Sequence, residues 1–218
     1  KKLQIEDNTL VVFTSDNGAR GTHGGSNGPL RGRKGTTWEG GMRVPCIMYW
    51  PGKIPAKVEC DEIAASLDFY TTFASLAGAD VPRDRVIDGI DISSLMFGQK
   101  GVVSPRKGFF YYWLNNLEAV RNGKWKLHVR KGGKEVRELY DLDADIGESC
   151  NLYEQCPDVV KQLGIYLKER REDLGDEAAG INGENTRPIG EVQNAQPLTE
   201  YNPDHPYIIA MYDKEDAG

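Results

Sequence analysis

Asp16 and Asn17 place a carboxylate and an amide oxygen side by side, and Lys34 follows eighteen positions later. Oxygen donors of this kind suit a hard cation such as Ca²⁺ or Mg²⁺ better than zinc, which favours nitrogen and sulfur. An ammonium group can grip an oxyanion beside it. Nine of the 24 residues from Gly18 to Gly41 are glycine, so backbone can approach a ligand closely, and loops this long are usually functional or disordered. Arg31, Arg33 and Lys34 form a basic cluster inside that stretch, able to neutralise a bound sulfate or phosphate. Taken alone, Asp-Asn-Gly also reads as a simple turn, because Asn and Gly tolerate positive φ.

These residues need a strand to deliver them. Leu10 to Phe13 are continuously apolar and partly β-branched, the pattern of a strand buried on both faces of an α/β sheet, and Asp16 and Asn17 emerge at its carboxyl end. Pro45 to Trp50 reads as a second short strand closed by Pro51 and Gly52. Asp68 is expected to N-cap a helix running to Ala77, with Tyr70, Phe73, Ala74 and Ala77 at helical spacing and Gly78 as its stop; capping outweighs a metal role for Asp68. Asp88 to Asp91 reads as a turn.

Composition changes near Ser104 to Lys107, and the pattern becomes a β-meander. Gly108 to Trp113, Ala119 to Arg121, Lys124 to Val129 and a run ending at Tyr140 are expected strands, with Asn122-Gly123 as a type I′ hairpin turn. Alternation assigns Trp125, Leu127 and Val129 to one face and Lys124, Lys126 and His128 to an exposed one. The aromatic run Phe109 to Trp113 is read as core rather than as a sugar-stacking surface. Pro157 opens a helix bearing Val160, Leu163 and Leu167 on one side, stopped by Gly175. From Asp176 the chain is polar and aperiodic, an extended tail whose Tyr201, Tyr207, Ile208, Ile209 and Met211 are apolar enough to dock.

Ser-Asp-Asn-Gly at a strand end, then Gly-Arg-Lys-Gly-Thr-Thr-Trp-Glu-Gly-Gly-Met-Arg-Val-Pro and Trp-Pro-Gly, closely resembles the type I sulfatases of the alkaline-phosphatase superfamily, arylsulfatases and N-acetylgalactosamine-6-sulfatases above all. The resemblance runs from about Asn8 to about Leu152. It implies an α/β fold: residues 1–105 as the C-terminal part of an alkaline-phosphatase-like mixed sheet flanked by helices, 106–175 as a small antiparallel sheet with a packed helix, and 176–218 as tail. It further implies hydrolysis of a sulfate ester, with Asp16 and Asn17 as two calcium ligands, Lys34 as the catalytic, sulfate-binding group, and Glu39 and Arg43 shaping the loop. His23, inside the loop, is a weaker substrate-binding candidate and does not match the family's catalytic histidine.

The family's nucleophile motif, Cys/Ser-x-Pro-x-Arg, is missing: Ser104-Pro105-Arg106 lacks the intervening residues, and no cysteine has Pro two and Arg four positions on. The formylglycine that the family forms at that motif is therefore expected in a missing N-terminal portion, and the isolated chain is expected to be inactive. Two alternatives stand beside sulfate-ester hydrolysis: a phosphodiesterase or phosphonate-ester hydrolase of the same superfamily, and an inactive structural or binding fragment.

A net charge of -6 over 218 residues argues against nucleic acid as the main partner, and no apolar run is long enough to span a membrane; the resemblance makes a sulfated small molecule or carbohydrate the expected partner. No export signal is legible in the first ten residues, so periplasmic, secreted and lysosomal locations rest on the family alone. Cys46 and Cys60 are expected to be buried thiols, while a Cys150–Cys156 disulfide is an open question.

Overall fold

The computed structural model describes residues 2–194, without the His23 side chain, and residues 1–186 form one compact unit. The expectations for Tyr201, Tyr207, Ile208, Ile209 and Met211 fall outside the described residues. β1 (Val11–Thr14) is followed by the glycine-rich loop, a single helical turn α1 (Glu39–Met42) and β2 (Cys46–Tyr49), which pairs antiparallel with β1. Val11 lies opposite Tyr49 and Phe13 opposite Ile47, so these four side chains share one face of the ribbon. Their exposure is 50% or more, against the expectation of a strand buried on both faces; among the described residues no layer covers them. Cys46 and Cys60 are likewise exposed rather than buried, Cys46 because it belongs to this ribbon, and all four cysteines are free.

α2 (Asp68–Leu76) ends at Ala77 and Gly78, the latter at φ +70°, as its sequence predicts. Its anchoring differs from the expectation. Tyr70 and Phe73 are exposed, while Asp68 and Thr72 are fully buried. The Asp68 carboxylate does not cap its own helix: it accepts from the Ala65 N–H at 2.8 Å and the Ile90 N–H at 3.0 Å, and it pairs with Arg106. Charge and backbone donors together explain a carboxylate at zero exposure. α3 (Ser93–Met96) follows, with the Ser93 N–H donating to Asp91 Oδ1 at 2.8 Å.

Four strands make the second sheet, in the order β3 (Phe109–Trp113), β4 (Asn116–Asn122), β5 (Trp125–Lys131) and β6 (Lys134–Asp141), all antiparallel. Asn122 pairs with Trp125, so the loop is Gly123-Lys124, one residue later than the Asn-Gly expectation. Only its first position has positive φ, Gly123 at +53°, the requirement of a type II′ turn rather than I′. Glu118 is the extra residue where Tyr111 pairs with Ala119 and Tyr112 with Leu117. That bulge turns both Leu117 and Val120 toward α4 (Pro157–Leu174).

One face of this sheet is apolar: Leu117, Val120, Leu127 and Leu139 pack on Leu163 and Leu167 of α4. Pro157 at the first helical position and Gly175 at the end bound that helix as expected. The opposite face is polar and just as buried. Lys126 and His128, expected in solvent, have zero exposure because the glycine-rich loop lies across them.

Candidate functional site

Asp16 and Asn17 follow β1 at the start of a crossing made of bare backbone. The Gly18 N–H donates to the Gly41 carbonyl at 3.1 Å, and a Cβ on Gly18 would lie 1.8 Å from the Gly40 carbonyl oxygen. Gly40 and Gly41 are equally confined, with Cβ positions 2.6 Å from the Arg31 oxygen and 2.1 Å from the Thr36 oxygen. Only glycine permits three segments to meet this closely. Asn27 stitches the arms: its Oδ1 accepts from the Ala19 N–H at 2.7 Å, and its amide donates to the Gly32 carbonyl at 3.0 Å. The Lys34 N–H donates to the Ala19 carbonyl at 3.1 Å. Lys34 is thereby held two residues from Asn17 across the crossing.

Around that link the side chains are available. The exposed Asp16 carboxylate is in no ion pair among the described residues, and its one hydrogen bond there comes from Ser15 Oγ at 3.5 Å. Asn17 engages Ser15 through its backbone carbonyl, at 3.1 Å, and not through its side-chain amide. Arg33 and Lys34 are exposed and in no ion pair among the described residues. Two neighbouring oxygen donors without competing cations fit part of a calcium coordination shell, which takes six to eight oxygens. They do not complete one: among the described residues no group of three or more His, Cys, Asp or Glu is placed to hold a metal.

The loop rests on a buried ionic cluster. Lys126 Nζ donates to the Thr37 carbonyl at 2.8 Å and to Glu39 Oε1 at 2.9 Å, and lies 2.9 Å from Glu148 Oε1, which uses all three ammonium protons. Glu148 Oε2 accepts from the Glu39 N–H at 2.8 Å, and the Glu148 carbonyl accepts from Arg31 at 2.7 Å. Glu39 also accepts from the Tyr111 hydroxyl at 2.7 Å and from Arg121 at 3.3 Å. Thr37 donates to Glu118 Oε2 at 2.6 Å. Trp38 caps the cluster, its ring 3.8 Å from the Arg31 guanidinium, 3.5 Å from Lys131 Nζ and 4.8 Å from the His128 ring. Glu148 sits at φ +52°, a left-handed conformation that strains a non-glycine residue by about 1 kcal/mol or more. That backbone conformation belongs to the residue that grips the loop at both Arg31 and Glu39.

Burial pushes the His128 imidazole down to about 4, against the opposing pull of Glu148, so the ring is neutral near neutral pH. A carboxylate can only accept, so Nε2 carries the proton toward Glu148 Oε1 at 3.1 Å. Burial pushes the Glu148 carboxyl up, but His128, Lys126 and the Glu39 N–H outweigh it and hold the group below the usual carboxylate range. Burial and Glu39 push the Tyr111 phenol well above its ordinary range.

The structure therefore brings the backbone of Lys34 to the Asp16–Asn17 tip and sends Glu39 the other way, into the cluster. Arg43 is exposed, with its N–H on the Glu39 carbonyl at 2.7 Å, and His23 lies in a 3-10 turn over Gly21–His23. Arg31, part of the basic cluster in sequence, is committed to Glu148 and Trp38. Lys126, His128 and Glu148 escape sequence reasoning; the one available signal is the Glu39-Gly40-Gly41 run, which demands close backbone contact beside an acidic group.

The Sulfatase family model matches residues 1–79. The N-acetylgalactosamine-6-sulfatase of Canis lupus familiaris is 48% identical over 130 residues, covering 58% of this chain and 24% of that protein. Arylsulfatase A of Bos taurus is 38% identical over 195 residues, covering 77% of this chain and 38% of that protein. Among solved structures, that of Ps i-CgsB in complex with k-i-k-neocarrahexaose superposes with a TM-score of 0.70 at 28% identity, covering 84% of this chain and 40% of that one. The chain thus spans about a quarter to two fifths of the length of these relatives. With the strand-tip Asp-Asn-Gly, the glycine crossing and the lysine it positions, these matches place the chain in the sulfatase family.

Proposed function

We propose that this chain supplies part of the active site of a sulfate-ester hydrolase acting on a sulfated small molecule or carbohydrate. The observation that carries the proposal is the Lys34 N–H to Ala19 carbonyl bond, which joins the oxygen-donor tip to the exposed lysine. Asp16 and Asn17 would hold a calcium ion together with ligands from outside these residues; when bound, the ion draws negative charge from the sulfuryl oxygens. Lys34 binds one such oxygen through its ammonium and stabilises the charge that develops as the ester bond breaks. A preorganised donor of this type is worth about 2 to 4 kcal/mol of barrier, or roughly a hundredfold or more in kcat. His23, in the same loop, is a weaker candidate for substrate contact, and Glu39 and Arg43 maintain the loop. The nucleophile, by family resemblance a formylglycine, lies outside this chain.

The test is Lys34→Ala and Asp16→Asn in the full-length protein that carries this sequence. Aryl sulfate turnover is expected to fall by about two orders of magnitude for Lys34→Ala, with an unchanged circular dichroism spectrum. For Asp16→Asn, the calcium concentration giving half-maximal activity is expected to rise. Unaltered kcat in the lysine variant removes Lys34 from the site. Faster turnover of an aryl phosphodiester than of an aryl sulfate moves the assignment to the neighbouring esterase class.

A further inference from the structure

We propose that Glu148, more than a hundred residues from the loop in sequence, is a positioning residue for Lys34; the inference rests on the reading of Lys34 given above. Lys34 lies near the apex of a closed segment. Its feet are joined by the Gly40 N–H donating to the Arg31 carbonyl at 2.7 Å, and its apex is folded by the Thr36 N–H and hydroxyl donating to the Arg33 carbonyl at 3.0 and 2.7 Å. Three points on this segment are held from the C-terminal sheet side: Arg31 by the Glu148 carbonyl, Thr37 by Lys126, and the Glu39 N–H by the Glu148 carboxylate. Glu148 thus holds both feet, through different atoms of one fully buried residue.

The charges support a rigid mount. Lys126 is saturated by three acceptors, while Glu39 and Glu148 are each shared among several donors, so no member can move without leaving a buried charge unpaired. The side chain that would meet the substrate points away from all this, into solvent. Glu148 therefore acts on the reaction through the backbone of residues 31–39 and not by contact. Glu148→Gln separates these roles. The glutamine oxygen still accepts from Lys126, but the amide NH₂ then faces the Glu39 N–H, donor against donor, and that foot is released.

The experiment is a double-variant cycle in the full-length protein, with aryl sulfate as substrate: Glu148→Gln, Lys34→Ala and both together. Expected are a tenfold or greater fall in kcat for Glu148→Gln, and little or no further fall when it is added to Lys34→Ala, because the group it positions is already gone. Amide hydrogen exchange in Glu148→Gln should accelerate at Lys34 and Gly40 while Leu127 and Leu139 in the sheet stay protected. A Glu148→Gln effect as large in the Lys34→Ala background as alone overturns the positioning role. A Lys34→Ala variant with normal kcat overturns instead the reading of Lys34. If Glu148→Gln does not fold, Arg31→Ala releases the other foot, the one held by the Glu148 carbonyl, and the same non-additivity with Lys34→Ala decides the matter.

Discussion

Acidification should loosen this fold well before the carboxylates titrate, and His128 is the reason. An unfolded histidine titrates near 6.5, whereas the buried ring titrates at about 4. Between those values the unfolded chain binds a proton that the folded chain refuses, so stability falls as the pH falls through 6.5 toward 4 and is unaffected by this group above 6.5. From about pH 7 to about pH 5 the linkage relation gives a loss of about 2 kcal/mol, rising to about 3 kcal/mol when the full shift is spent. Glu148, held below the usual carboxylate range, acts in the same direction but only at lower pH, as do Asp141 and Asp145. Urea unfolding at the two pH values measures the loss. His128→Gln keeps a donor for Glu148 but cannot titrate, so its stability should change by less than half as much over the same interval. Equal pH dependence in both proteins, or an NMR titration placing His128 above 6, refutes the reasoning.

Two further perturbations probe the scaffold. Lys126→Met leaves Glu39 and Glu148 buried without their shared cation, and unfolding free energy should drop by about 3 to 5 kcal/mol in urea titrations. Gly18→Ala drives a methyl group into the Gly40 carbonyl, which backbone cannot evade; loss of several kcal/mol of stability or failure to accumulate as folded protein is expected, and a variant of normal melting temperature would show that the crossing is misplaced.

Local chemistry made some elements legible and left others hidden. Pro157, the Leu163–Leu167 spacing and Gly175 define α4 without help from tertiary structure. Alternation in β5 separated Leu127 from Lys126 and His128 correctly. It could not report that the second face is also covered, because the cover comes from residues 31–39 and Glu148, far away in sequence. Asp68 misled for a similar reason: a carboxylate before an apolar helix looks like a cap, and only the fold supplies Arg106 and the Ile90 N–H. The Asp-Asn-Gly tip and Lys34 were visible as residue types. Their adjacency depends on the Gly18, Gly40 and Gly41 crossing, which the glycine density announces without specifying which segments cross.

The clamp between loop and sheet joins Arg31 and Glu39 to a residue 117 and 109 positions later. During synthesis, the part of the polypeptide proposed to bind the oxyanion leaves the ribosome long before its support exists. Contacts of such separation form late, after loop-closure entropy has been overcome. A nascent chain stopped ahead of Glu148 contains each residue of this sequence proposed to touch the substrate and yet lacks the clamp that arranges them, so on that reading the loop waits for translation of Glu148.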